Sequence, residues 1–248
     1  LLVILLLRLQ FMSMRLWKGG KRIVLPKFTL APELLSSLVV TLILAILFIH
    51  TGKKVQETDP LTRPKGIVLV AETGIKMMYD YMKGLMPRKF EKNYYPYFTM
   101  LFAFLVVSNL WGLLGFEAPT TNYSITFALA FITFILIQWN SIKHNGVWPY
   151  VKDKIWPPTN LIGMVSPLLS LSIRIFANLL SGSFIMSLLY AATSALVKFL
   201  VHIPFNFIGP IVAPVLHLYF DVFSGVIQAL VFVTLSSILI AIENPDEE

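Results

Sequence analysis

Apolar residues fall into five long runs, at residues 34–49, 97–116, 125–139, 161–200 and 205–242, separated by polar stretches. A membrane crossing takes roughly 20 apolar residues, so this pattern predicts about five membrane helices and leaves no room for a separate soluble domain. Residues 66–86 differ: Val68, Glu72, Lys76 and Asp80 step by four, which puts the charges on one helical stripe. That spacing predicts an amphipathic helix lying on the membrane surface. The first span is expected to end at His50, Thr51 and Gly52, and the polar residues 53–65, with Pro60 and Pro64, read as a connector. The fold class is therefore an all-α integral membrane protein.

The last two runs are too long for upright spans. Residues 161–200 number 40, which as one helix is about 60 Å at 1.5 Å per residue. The hydrocarbon core is about 30 Å thick, so a continuous helix would lean roughly 60° from the normal, against a usual tilt of about 20°. Residues 205–242 pose the same problem, although Gly209, Pro210 and Pro214 are expected to break the first turns. Two readings stay open: shorter spans with kinks and loops, or a hairpin of two long, steeply tilted helices that offers a broad flat side to a partner.

Composition agrees with the membrane. Hydrophobic residues make up 56% of the 248 and charged residues 13%, against about a quarter charged in soluble domains; mean hydropathy is +0.75. The net charge of +7 does not point to nucleic acid, because the basic residues sit between spans, where cytoplasmic loops carry them. Residues 53–92 hold nine Lys or Arg, which places this connector in the cytoplasm. Counting onward, the 117–123 turn is outside, residues 143–154 with Lys143, Lys152 and Lys154 are cytoplasmic, residues 198–204 are outside, and the acidic tail returns to the cytoplasm. The start conflicts with this count. Residues 8–27 carry six basic residues and no acid, and would lie outside unless another span precedes them. The 1–30 segment is expected to be either a truncated extra helix or a membrane-surface arm, and residues 31–248 a single membrane domain. No small-residue cleavage site follows the apolar start, which argues against a signal peptide.

Two polar features stand inside the apolar runs. Arg174 lies 13 residues into its run, with no other charge between Lys154 and Lys198. An Arg facing lipid at mid-depth costs about 2.5–3.5 kcal/mol on insertion scales, so it must face protein, water or a carboxylate. Ser170, Asn178 and Ser181 share its helical face, and Ala177, Ser181 and Gly182 would let another helix approach. The last run carries His217, Asp221, Ser224 and Gln228 at steps of +4, +7 and +11, one side of a helix. These groups could line a hydrated path or hydrogen-bond across the hairpin. Arg174 and Asp221 could pair as a buried salt bridge. His217 reads as a packing residue or a proton carrier, Gln228 as an interhelical hydrogen bonder or part of the path, and the Pro-flanked His202 as a loop residue.

No enzyme signature occurs: no His-Glu-x-x-His, no Gly-x-Ser-x-Gly and no Gly-Lys-Ser/Thr phosphate loop. The chain should bind no nucleotide. Zero cysteines exclude disulfides and thiolate metal sites, and no cofactor or metal is expected.

The run SLSIRIFANLLSG (residues 170–182) resembles the most distinctive motif of subunit a of F-type ATP synthases. Other stretches match in order: RPKG (63–66) and AETGIKMMYDYMKG (71–84), SNLWGLLG (108–115), APTTNYSITFALAF (118–131) and IQALVFVTLSSILI (227–240). The resemblance covers about residues 30–242. It implies that Arg174 is the Arg set against a rotating ring of c subunits, Asn178 its neighbour and Gln228 the Gln of the final helix. Two positions depart from common patterns: Ser183 stands where many members have Glu or His, and Asp221 where many have His or Glu. The weight for proton carriage therefore shifts from Ser183 to Asp221 and His217, with Ser224 alongside.

The resemblance further implies a stator in the membrane-embedded Fo sector, with two offset half-channels that pass protons to and from the c-ring carboxylates, and Arg174 blocking a short circuit. Implied partners are the c-ring, the peripheral-stalk subunit b, other Fo subunits and membrane lipids. The expected location is the bacterial plasma membrane, with the mitochondrial inner membrane as second choice. Proton versus Na⁺ should be decided mainly in the ring. The rival reading is a secondary ion or anion transporter that uses Arg174 as a substrate or counter-ion site, although no internal repeat of the kind such folds carry is visible. Co-purification with a ring of small hairpin proteins separates the two.

Overall fold

The computed structural model describes residues 31–57, 66–155, 157–201, 206 and 208–243. The expectations for residues 1–30, for His202 and for the tail beyond residue 243 lie outside the described residues. Among the described residues every regular element is helical, and five segments are long and apolar enough to cross a membrane: Pro32–Glu57, Arg88–Leu114, Tyr123–Asn145, Ile162–Phe199 and Ile208–Ile242. The elements are α1 (Pro32–Glu57), α2 (Ile67–Lys83), α3 (Glu91–Leu110), α4 (Tyr123–Asn145), α5 (Val147–Ile155), α6 (Pro158–Val201), α7 (Ile208–His217) and α8 (Gly225–Ile242). A π-helical stretch, Leu218–Ser224, joins α7 to α8.

The long final hairpin is real. α6 is one helix of 44 residues, about 66 Å at 1.5 Å per residue. Pro167 sits inside it and removes one backbone hydrogen bond without ending it. Gly209 and Pro210 do not break the second arm, as the sequence had suggested. Pro210 falls in the first turn of α7, where an amide N–H has no intrahelical partner to lose. The amide of Gly209 instead donates to Asn206 Oδ1 at 3.0 Å, a side-chain cap of the helix start. Asn206 Nδ2 also donates to Thr193 Oγ1 at 2.9 Å, which clips the turn of the hairpin to α6.

Two boundaries differ from the sequence reading. α1 runs past Gly52 to Glu57, because Lys53, Lys54, Gln56 and Glu57 are good helix formers and the basic end suits the helix dipole. α4 likewise runs past Trp139, where the apolar run ends, to Asn145. It breaks at Gly146, whose φ of 79° favours glycine, and resumes as α5.

The core is built where α3, α4, α6 and α8 meet, from Tyr95, Phe98 and Leu105, from Ile125 and Leu129, from Leu171 and Ile175, and from Phe232 and Val233. α4 packs chiefly on α6, and α3 on α8. α2 keeps Glu72, Lys76 and Asp80 exposed, while Val68 at the head of that stripe is buried together with Met78 and Met82. Its Tyr81 hydroxyl meets Thr234 Oγ1 of α8 at 2.6 Å. At the end of α8 Glu243 takes a hydrogen bond from Ser141 at 2.5 Å and an ion pair from Lys154 at 2.7 Å. Beside them Tyr150 donates to Gln138 at 2.5 Å. Burial pushes the Tyr150 phenol above its ordinary pKa range, opposed by Lys154 and reinforced by Glu243.

Candidate ion site

Arg174 lies near the middle of α6, partly exposed, at the edge of an open depression of about 740 Å³. The depression is lined mostly by apolar side chains, including Ile162, Leu169 and Ile173, with Ser166 and Ser170 the other polar residues. Ser170 is also the partner of the guanidinium, at 3.5 Å, a long and weak contact. No carboxylate among the described residues lies within ion-pair distance of Arg174, so the intrachain pair with Asp221 is not formed. The same helix exposes large apolar groups along its length: Ile173 is 50% accessible, Phe184 65% and Leu188 69%. Such a surface needs lipid or a partner over it.

Asp221 is paired within its own arm. Its Oδ2 lies 2.6 Å from His217 Nδ1, and the two side chains are 17% and 39% accessible. Both residues sit where α7 passes into the π-helical stretch. There the backbone bonds shift to i→i+5, so the four-residue stripe is not the regular α-helical face that its spacing predicts. π-bulges of this kind are frequent at functional sites. Ser224, the last residue of that stretch, donates to Asn178 Oδ1 at 2.5 Å and thereby crosses the hairpin. The arms approach closely here: a Cβ placed on Gly182 would lie 3.3 Å from Phe220 Cβ. Ser183 turns back on its own helix and donates to the Leu180 carbonyl at 2.8 Å.

Gln228 is set differently. Its Nε2 is buried and has no hydrogen-bond partner, as are Ser108 Oγ, Trp111 Nε1 and Ser236 Oγ. A buried polar group left so costs about 1–3 kcal/mol. The structure therefore brings together His217 with Asp221 and Asn178 with Ser224, and neither Arg174 nor Gln228 Nε2 hydrogen-bonds to either pair.

Sequence reasoning assigned no role to Asn109 and Thr120. Asn109 is buried, donates from Nδ2 to the Gly225 carbonyl at 2.8 Å, and accepts from Thr120 Oγ1 at 2.9 Å. This chain of bonds holds the start of α8 against the end of α3. It also brings Asp221 Oδ2 within 4.0 Å of the position a Cβ would take on Gly112. The signal was present as two polar residues, Asn109 and Thr120, flanking the turn between α3 and α4, but only the fold shows that they meet. Among the described residues no three His, Asp or Glu side chains converge as a metal site.

Among the described residues the arrangement offers a cation with no carboxylate partner, Arg174, on an exposed apolar face, and a carboxylate–imidazole pair, Asp221 with His217. The family model described as ATP synthase A chain matches residues 34–241. A protein of Mycoplasma genitalium named ATP synthase subunit a is 30% identical over 228 residues, covering 84% of this chain and 78% of its own. One of Mycoplasma pneumoniae, with the same name, is 33% identical over 217 residues, covering 80% and 74%. Another, of Legionella pneumophila strain Philadelphia 1, is 32% identical over 187 residues, covering 73% and 74%.

Proposed function

The chain belongs to the ATP synthase A chain family, as a multi-pass protein of a bacterial membrane and a component of the Fo sector, and on that premise we propose that it is the stator through which protons reach and leave a rotating ring of c subunits. The observation that carries this reading is the unpaired Arg174 on an exposed apolar face of a helix too long to stand upright. A guanidinium at mid-membrane with no carboxylate partner among the described residues calls for one on another chain. Facing a ring carboxylate, Arg174 favours its ionised form and so lowers its pKa, which drives release of the bound proton. The same fixed charge repels a proton that would leak straight between the two half-channels. Asp221 and His217 form the relay on one side, with Ser224, Asn178 and Gln228 holding or extending it. The potential contributes about 2.3 kcal/mol per charge per 100 mV.

In this reading the chain contributes no catalytic site. It works with the c-ring, the peripheral-stalk subunit b and other Fo subunits. Family membership and an Arg174 that opens on a broad flat face, rather than on an enclosed substrate cavity, both favour the stator over the secondary transporter. The test is Arg174→Ala in the whole complex. ATP synthesis coupled to the gradient should vanish while ATP hydrolysis by the detached soluble sector survives. Retained coupled pumping would overturn the proposal.

A further inference from the structure

A second site lies away from the ion path. Between the start of α3 and the end of α4 is a partly enclosed pocket of about 530 Å³, within the range of small-molecule sites. None of its lining residues belongs to α6, α7 or α8. Lys89, Lys143 and His144 line it together with Asn93, and no Asp or Glu does. Tyr94, Tyr97 and Trp139 form the aromatic part of the wall, and Phe90 and Leu136 the apolar part. Trp139 is 66% accessible.

The position of the pocket identifies its ligand. It sits at the ends of two membrane helices, on the side that carries the nine basic residues of 53–92, which the charge bias places in the cytoplasm. An exposed Trp such as Trp139, flanked by the half-buried Tyr94 and Tyr97, is typical of the headgroup level. A basic, acid-free cavity of this kind between helix ends on the cytoplasmic side suits an anionic lipid head. The apolar wall at Leu136 and Phe90 suits the first carbons below it, which free phosphate does not have. We propose that this pocket binds the phosphate-bearing headgroup of an anionic phospholipid of the cytoplasmic leaflet. The proposal is independent of the ion path.

The experiment uses the intact complex in vesicles doped with photoactivatable phosphatidylglycerol or phosphatidylcholine, the reactive group near the headgroup. Adducts are mapped by mass spectrometry to the peptides that carry Lys89 and Lys143. Phosphatidylglycerol should label them well above phosphatidylcholine. Lys143→Gln should reduce that preference about fivefold, and Lys89→Gln with Lys143→Gln should abolish it. Lys143→Arg should retain it, and coupled ATP synthesis in each assembled variant should stay unchanged. If the double variant does not assemble, the two single variants at Lys143 decide. Equal labelling by both lipids would overturn the proposal, as would loss of labelling in excess inorganic phosphate. Absence of lipid adducts with cross-links to a neighbouring subunit at Trp139 would mark a protein interface and overturn it as well.

Discussion

Ser224 hydrogen-bonds Asn178 at 2.5 Å across the hairpin, from the π-helical stretch to the helix that carries Arg174. Asn178 is one helical turn beyond Arg174, so this bond holds the Arg174 turn of α6 against the second arm. Side-chain hydrogen bonds between membrane helices average about 0.6 kcal/mol, with a maximum near 1.7. A double-mutant cycle with Asn178→Ala and Ser224→Ala should give a coupling energy in that range, read from unfolding of the assembled complex. Coupled pumping should fall in both single variants. Additive effects would show that the bond does not join the arms.

Asp221→Asn keeps the shape of the side chain and its contact with His217 but removes the titrating oxygen. Passive proton conduction through the membrane sector should fall on the order of 100-fold, the usual scale for a lost acid–base group. Ser183→Ala should have little effect, because that hydroxyl is spent on the carbonyl of Leu180. Unchanged conduction in Asp221→Asn would remove Asp221 from the path. Complete loss in Ser183→Ala would return the weight to that position.

Much of this site was legible before folding. The expense of a mid-membrane charge singled out Arg174, and period counting put His217 and Asp221 on one stripe, but their contact with each other emerges only in the fold. The length of the last two apolar runs gave the long hairpin. What stayed hidden has a common cause. The π-helical stretch Leu218–Ser224 holds no residue that forbids an α-helix, and only Pro214, one turn upstream, hints at irregularity. Asn109 finds Gly225 across 116 residues, and Lys154 finds Glu243 across 89; such pairs follow from helix packing rather than from local pattern. The helix Val147–Ile155 has no signature in the sequence, because a charged, Pro-containing stretch after a span carries no apolar period.

Gly225→Ala should be disruptive. Its Cβ would lie 2.9 Å from Asn109 Cβ, so α3 and α8 must separate or Asn109 must give up its bond to the Gly225 carbonyl. Overpacking of this kind costs about 1–3 kcal/mol. The melting temperature of the complex should drop, and proton conduction should fall with it, because Asp221 is held beside the same contact. Gly74→Ala is the control. It has nothing within 4 Å of its Cβ and replaces a mid-helix glycine, so it should be neutral or gain about 1 kcal/mol. Equal loss in both would show that general helix perturbation, rather than the Asn109 contact, sets the effect.

The end of α8 offers a test of what closes the bundle. Glu243 ends the last helix and ties it to α5 through Lys154 at 2.7 Å and to α4 through Ser141 at 2.5 Å. The pair is 18% and 23% accessible, between a solvent-exposed bridge worth up to about 1 kcal/mol and a buried one that costs about 3–5 when a single partner is lost. Lys154→Met alone should therefore destabilise by about 1–3 kcal/mol, since it leaves the Glu243 carboxylate with only the Ser141 donor. Glu243→Gln added to it removes the orphaned charge and should recover part of the loss. Because the pair is mostly shielded, the cost of Lys154→Met should change little between low and high salt. A cost that disappears at high salt, or a double variant worse than the sum of the singles, would show that the Lys154–Glu243 contact does not tie the last helix to α5.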